Sequence, residues 1–247
     1  WRVDFSAPIR RGPLTAGFDS FFGIAASLDM VPYAFIDGDR VTAIPTTDKD
    51  FPMMDGRRAG RTRRGPAAAE FEAVDVLPRL VERAVGFIGQ QPPESKKGTP
   101  FFLYLPLASP HTPIVPTGEW AGKSGLNPYA DFVMQTDAAL GAVLAALEKG
   151  CVADDTLVIF TSDNGCSPQA NFDELRAQDH DPSGPFRGTK ADIFEGGHRV
   201  PFVVRWPGRV KPGSRTGQLT CLNDFFATCA DIAGKKLPPT AAEDSVS

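Results

Sequence analysis

Thr156-Leu157-Val158-Ile159-Phe160-Thr161-Ser162-Asp163-Asn164-Gly165 is the stretch on which the reading of this chain turns. Its first six residues are apolar or β-branched and strand-sized. It stops on Asp-Asn-Gly, which is strong turn chemistry. Upstream, Asn127 to Lys149 carries Phe132, Val133, Ala139, Leu140, Val143, Leu144 and Leu147 along one side at helical spacing. Gly150 follows as a stop. The order is therefore helix, strand, turn.

The same alternation extends outward. Glu70 to Gln90 has helical spacing, with Pro78 marking a kink or a new start. Gln91 to Gly98 is a polar connector, and Phe101 to Leu107 reads as a buried strand. Phe202 to Arg205 is a further strand, and Asn223 to Ala233 a helix that Asn223 can cap. Residues 1–70 read as long loops and short strands, with a hairpin over Ile36 to Ile44 turning at Asp37-Gly38. Strands alternating with helices predict an α/β fold, a mostly parallel sheet sandwiched between helices. Sites in such sheets lie beyond the carboxyl ends of the strands. His111 and Asp163-Asn164 both fall there. No repeat and no domain boundary is visible, so residues 1–247 read as one unit.

Composition narrows the classes. Of 247 residues, 42% are hydrophobic, enough to bury a core. The net charge of −4 gives no general pull toward nucleic acid or an anionic membrane. No apolar run approaches a membrane span. Cys151, Cys166, Cys221 and Cys229 form no CxxC pair and do not cluster with the three histidines. They read as small thiols, not as a zinc site or a disulfide scaffold. Arg57, Arg58, Arg61, Arg63 and Arg64 read first as a solvated loop, and alternatively as a rim attracting anionic substrates. Trp1-Arg2-Val3-Asp4 is no signal peptide, and Glu243 to Ser247 ends without a capping element. The chain is expected to be an internal piece of a longer protein.

Candidate chemistry gathers in two motifs. Asp163 and Asn164 offer a carboxylate and an amide at a strand end, hard oxygen donors suited to calcium or magnesium. Two ligands are too few, so others must come from elsewhere. Lys190 lies between Arg187-Gly188 and Glu195-Gly196-Gly197, where glycines permit close backbone approach to an anion. Its ammonium can neutralise charge on a transferring group. Arg187 and Arg199 are candidates for structural ion pairs, and Glu195 for an internal partner. His111, in Ser109-Pro110-His111-Thr112-Pro113, is either a loop histidine with a structural hydrogen bond or a catalytic imidazole. His180 lies in a polar segment that could border a substrate pocket.

Together these motifs resemble the sulfatase family of the alkaline-phosphatase-like superfamily, nearest its arylsulfatase-A-like branch. Gly17-Phe18-Asp19-Ser20-Phe21-Phe22-Gly23 is similar to the segment following the nucleophile region, and Ser109 to Pro113 to the family's histidine loop. Asp163-Asn164 match the later pair of calcium ligands. Gly188-Thr189-Lys190 with Glu195 to Pro201 matches the active-site lysine motif. The resemblance implies a sulfuric ester hydrolase acting on aryl or carbohydrate sulfates. It assigns catalysis and substrate binding to Lys190 and His111 and calcium to Asp163 and Asn164, while His180 stays a substrate-binding candidate from its polar segment alone. It also implies a periplasmic, lysosomal or secreted location.

The family's nucleophile is a formylglycine made from Cys or Ser in a Cys/Ser-x-Pro-x-Arg motif, and an Asp pair completes its calcium site. Both are expected outside this chain. Cys166-Ser167-Pro168-Gln169-Ala170 lacks the arginine. Ser6-Ala7-Pro8-Ile9-Arg10 fits the short pattern, but Gly12 and Pro13 would break the helix it should open. The chain alone is therefore expected to be inactive and poorly stable. Two other readings stand beside this one. One is a related phosphodiesterase. The other is a non-catalytic, truncated or degenerate binder of sulfated ligands.

Overall fold

Tyr33, Phe35, Phe51 and Phe71 come from three separate segments and meet in one cluster. Tyr33 stands edge-on to Phe51 with centroids 5.1 Å apart, and Phe35 lies 5.2 Å from Phe71. All four are buried. The Tyr33 hydroxyl keeps polar partners, Thr62 Oγ1 at 2.8 Å and the Arg63 carbonyl at 2.5 Å. A buried phenol without them would cost more than its ring gains.

Around this cluster the computed structural model describes residues 3–57 and 60–247. In chain order the elements are β1 (Phe22–Ile24), β2 (Phe35–Asp37), β3 (Arg40–Val41), β4 (Thr47–Lys49), β5 (Gly65–Ala67), α1 (Val76–Gln90), α2 (Pro92–Ser95) and α3 (Pro128–Lys149). There follow β6 (Val158–Thr161), α4 (Phe172–Arg176), α5 (Glu195–His198), β7 (Phe202–Arg205) and α6 (Asp224–Ile232). The mixed α/β class expected from the sequence is present.

The ladders are short. β1, β2 and β3 form an antiparallel meander, in which Ile36 faces Val41 across the expected hairpin and Gly38 takes φ 65° at its turn. β4 pairs antiparallel with β5, and β6 with β7, Val158 opposite Arg205 and Thr161 opposite Phe202. Parallel pairing among the described residues is limited to isolated bridges, Tyr33 to Ala67 and Met54 to Ile114. The predicted strand Phe101 to Leu107 alternates half-buried and exposed residues, as an extended segment does, but joins no ladder. Its apolar pattern specifies an extended backbone. Pairing also needs a second extended segment alongside, and no described strand supplies one.

The helices follow local rules. α1 begins at Val76, later than Glu70, because Pro78 fits the first helical turn, where its missing N–H costs nothing. The proline marks a start and not a kink. Val76, Leu77, Leu80, Ala84 and Ile88 form its buried face. α2 interrupts the expected connector with a single turn. In α3 the Asn127 side chain caps the start by accepting the Ala130 N–H at 3.1 Å.

Phe132, Ala139 and Leu147 of α3 are buried against α1 neighbours, and Val133 is 40% exposed. α3 is long and apolar enough to cross a membrane by length and composition. It nevertheless packs on α1 and buries Asp131 and Gln135, as a core helix does. In α6 the expected cap differs. Asn223 is already helical and makes no capping bond, while the Asp224 carboxylate accepts the Cys221 N–H at 2.8 Å. All four cysteines are free thiols.

Candidate active site

Three segments meet here through bare backbone. The turn after β6, the loop 186–192 and α5 are joined by three bonds. Gly165 N–H donates to the Gly197 carbonyl (2.9 Å), Lys190 N–H to the Cys166 carbonyl (2.8 Å) and Gly196 N–H to the Arg187 carbonyl (2.8 Å). A Cβ on Gly165 would overlap the Gly196 carbonyl, one on Gly196 the Gly188 carbonyl, and one on Gly197 the Asp192 carbonyl. These glycines are therefore required by close backbone approach. The loop itself turns at Gly188 (φ 91°) and Ala191 (φ 73°). Thr189 N–H donates to Asp192 Oδ2 at 2.8 Å and closes that turn.

This lamination brings Lys190, Asp163 and Asn164 to the wall of one cleft of about 2920 Å³, which His111 also lines. No ion pair or hydrogen bond engages the Lys190 ammonium among the described residues. It is an uncompensated cation in a concave site, the arrangement that attracts an anionic group. His111 Nδ1 lies 2.8 Å from the Thr112 carbonyl and 3.3 Å from Ser27 Oγ. The other sequence candidates fall elsewhere. His180 sits exposed after α4, outside the residues that line the cleft. Arg199 pairs with Glu195 at 2.6 Å, and Arg187 stacks 3.7 Å from the Phe194 ring centroid. Both arginines and Glu195 thus have structural partners.

The arginine-rich loop is partly neutralised. Arg61 bonds Asp50 at 2.6 Å, and Arg57 pairs with Glu174. Arg58 lies outside the described residues. Cys166, beside the Asp163-Asn164 turn, donates to the Tyr129 hydroxyl at 3.1 Å. Burial pushes the Cys166 thiol up, and burial with the neighbouring Cys166 does the same to the Tyr129 phenol. Both are held neutral, so Cys166 is no activated nucleophile.

Asp163 is exposed and Asn164 half-buried at the end of β6. Their oxygens suit calcium, which takes about six to eight such ligands. No group of three or more His, Cys, Asp or Glu stands ready for a metal among the described residues. The donor chemistry fits, and the number of donors does not.

A concave wall with an unpaired cation and two oxygen donors suits an anionic ligand, and comparison with known proteins gives the family of the chain. The sulfatase family profile matches residues 60–235. The chain belongs to the sulfatase family. It is 30% identical to the N-acetylgalactosamine-6-O-sulfatase of Bacteroides thetaiotaomicron, over 98% of this chain and 53% of that protein. It is 32% identical to the human N-acetylgalactosamine-6-sulfatase, over 95% and 41%. The rat steryl-sulfatase is 43% identical over 65% of this chain and 27% of its own length.

A solved sulfatase structure, described for the metabolism of multiple glycosaminoglycans by Bacteroides thetaiotaomicron, superposes with a TM-score of 0.82 at 30% identity. It is matched over 98% of this chain and 56% of its own. A Pseudoalteromonas sulfatase at 23% identity and TM-score 0.70, covering 95% and 47%, shares the fold. The chain thus spans from about a quarter to just over half the length of these relatives.

Two full matches to the short nucleophile pattern, and one that lacks its arginine, exist in this sulfatase chain, and none opens an α-helix. Ser6 is exposed and donates to Asp4 Oδ1 at 2.6 Å. Cys166 is engaged with Tyr129. Ser183-Gly184-Pro185-Phe186-Arg187, passed over in the sequence reading, lines the cleft. Its Ser183 hydroxyl donates to the Gly188 carbonyl at 3.0 Å and closes the lysine loop. Sequence reading also missed Ser27. It stands 84 residues from His111, and no local spacing could couple the two.

Proposed function

We propose that these residues form part of a calcium-dependent sulfuric ester hydrolase. Its first substrate to test is a 6-O-sulfated N-acetylgalactosamine residue. The observation that carries the reading is the glycine-laminated loop pair, which sets an unpaired lysine and two hard-oxygen donors on one cleft wall. Lys190 neutralises a sulfate oxygen as charge develops there. Asp163 and Asn164 hold calcium, together with further oxygen ligands that the described residues do not supply. Bound calcium would polarise a sulfate oxygen as a Lewis acid. The substrate choice is supported by the N-acetylgalactosamine-6-sulfatases, which align with nearly the whole chain, whereas the steryl-sulfatase aligns with 65% of it.

The attacking group is a formylglycine that the present residues do not provide, so the 247-residue chain alone is expected to release no sulfate. Sulfate release by the natural gene product containing these residues, with calcium present, tests the reading. Lys190→Ala is expected to lower kcat by about 10²- to 10³-fold, the cost of one transition-state donor. Cleavage of a phosphodiester with no sulfate release would replace the reading with a phosphodiesterase. Binding of the sulfated sugar without release would favour a non-catalytic binder.

A further inference from the structure

The turn Ser27 to Met30 lies against the histidine loop, and its polar atoms form a chain. Ser27 Oγ donates to Asp29 Oδ1 at 2.6 Å. The same oxygen stands 3.3 Å from His111 Nδ1, which also meets the Thr112 carbonyl at 2.8 Å and Thr112 Oγ1 at 3.3 Å. A carbonyl oxygen only accepts, so Nδ1 must carry the proton. Ser27 has given its own proton to Asp29 and therefore offers Nδ1 a lone pair. The polarity runs one way: the Nδ1–H goes to the Thr112 carbonyl, its nearer acceptor, and is shared with Ser27 Oγ, whose own O–H goes to the carboxylate.

The turn is held firmly enough to aim the serine. Met30 N–H donates to the Ser27 carbonyl at 2.9 Å, and Leu28 is buried in the aromatic core. The Asp29 carbonyl accepts from the Arg63 N–H and the Tyr33 hydroxyl, both at 3.3 Å. On the other side, His111 N–H donates to the Ala108 carbonyl at 3.1 Å.

We propose that Asp29, acting through Ser27, is the positioning partner of His111. Together with the Thr112 carbonyl it fixes the ring in the Nδ1-protonated tautomer and leaves Nε2 as the atom that meets substrate. Nε2 makes no hydrogen bond among the described residues, and His111 lines the cleft. A neutral ring held this way accepts a proton at Nε2 from a substrate hydroxyl or water. It donates to a sulfate oxygen only after taking up a second proton, whose charge the Asp29 carboxylate faces through one hydroxyl. The orienting logic is that of a carboxylate holding a general-base histidine, with a serine interposed. The inference rests on the sulfatase reading only for what Nε2 does, and not for the tautomer.

Long-range proton–nitrogen NMR of the 15N-histidine-labelled 247-residue chain tests it at about pH 8.5, two units above the ordinary imidazole value. Three histidines give three patterns, with His180 and His198 as internal references. His111 is expected in the Nδ1–H form. Asp29→Asn and Ser27→Ala are each expected to raise the Nε2–H form of His111 at least several-fold, and Ser27→Thr to restore the parent pattern. An Nε2–H pattern in the parent chain, or an Asp29→Asn spectrum like the parent's, overturns the proposal. Asp29→Asn keeps the serine and the shape of the turn, so it decides the question even if Ser27→Ala does not fold. The NMR result is independent of sulfate release, and failure of the sulfatase reading would leave it standing.

Discussion

Phe71 and Phe226 are the same side chain in opposite settings. Phe71 is 2% exposed and touches Tyr33, Phe35 and Phe51. Phe226, on α6, is 59% exposed. The difference extends to their regions. Up to Leu175 the chain buries a sequence of large apolar side chains, but beyond it only Gly196 and Gly197 are buried among the described residues. Leu219, Val203 and Ile193 stand out at 91%, 58% and 86%. Apolar composition does not by itself make a core. In the second region, tight packing is confined to the backbone-to-backbone contact that positions Lys190.

The largest expected effect breaks the first region. Phe71→Ala removes a ring from a closed cluster and should cost about 3–5 kcal/mol. Phe226→Ala should stay within about 0.5 kcal/mol, as surface changes do. Denaturant midpoints of the two variants measure the contrast, and equal shifts would dissolve it.

A second prediction tests the one packed spot of the second region. Gly196→Ala puts a methyl group onto the Gly188 carbonyl and should cost about 1–3 kcal/mol, as overpacking does. In the natural gene product it should also lower sulfate turnover, by displacing the lysine loop. Gly86→Ala, on α1 with no neighbour in reach, should instead stabilise by about 0.5–1 kcal/mol. If Gly196→Ala is as mild as Gly86→Ala, the lamination is not what holds Lys190.

The smallest effect concerns acid. Burial acts to raise the Asp131 carboxyl, but the hydroxyl and N–H of Ser124 and the N–H of Gly122 outweigh it and hold the group below 3.8. A depressed folded value means that stability is fully present above the unfolded value. It is lost as pH falls through the folded one. Asp131→Asn should therefore flatten the loss of stability that sets in as pH falls below the ordinary carboxylate value of about 4. Asp224 is also lowered, by the Cys221 and Val246 N–H groups, but it is only half-buried where Asp131 is buried. Asp224→Asn should leave the acid limb nearly unchanged. Stability against pH for the two variants separates these outcomes.

Legibility in the sequence followed the range of the interactions. α3, β6, β7 and the Asp37-Gly38 hairpin were readable because caps, turns and periodicity act within a few residues. The Asn223 cap was misjudged because Asn223 already has helical backbone (φ −62°, ψ −30°), where a capping residue needs an extended one. Pro78 was ambiguous until the start of α1 placed it in the first turn. His111 was visible as a candidate but its partner was not, since 84 residues separate it from Ser27. His180 had the right polarity and stands exposed beside the cleft-lining Pro182 and Ser183 without lining the cleft itself.

By itself the sequence determined the local elements, the apolar inventory and the two motifs that mark this chain as a sulfatase. These depend on side-chain chemistry and short spacings. Tertiary structure decided which extended segments pair, which apolar residues become core, and which polar groups meet across the cleft. It also explains the glycines at 165, 196 and 197, each of which faces the backbone of another segment. Excluded volume between segments far apart in the chain leaves no periodic trace in a sequence. Only the folded arrangement of backbones shows where a single Cβ would not fit.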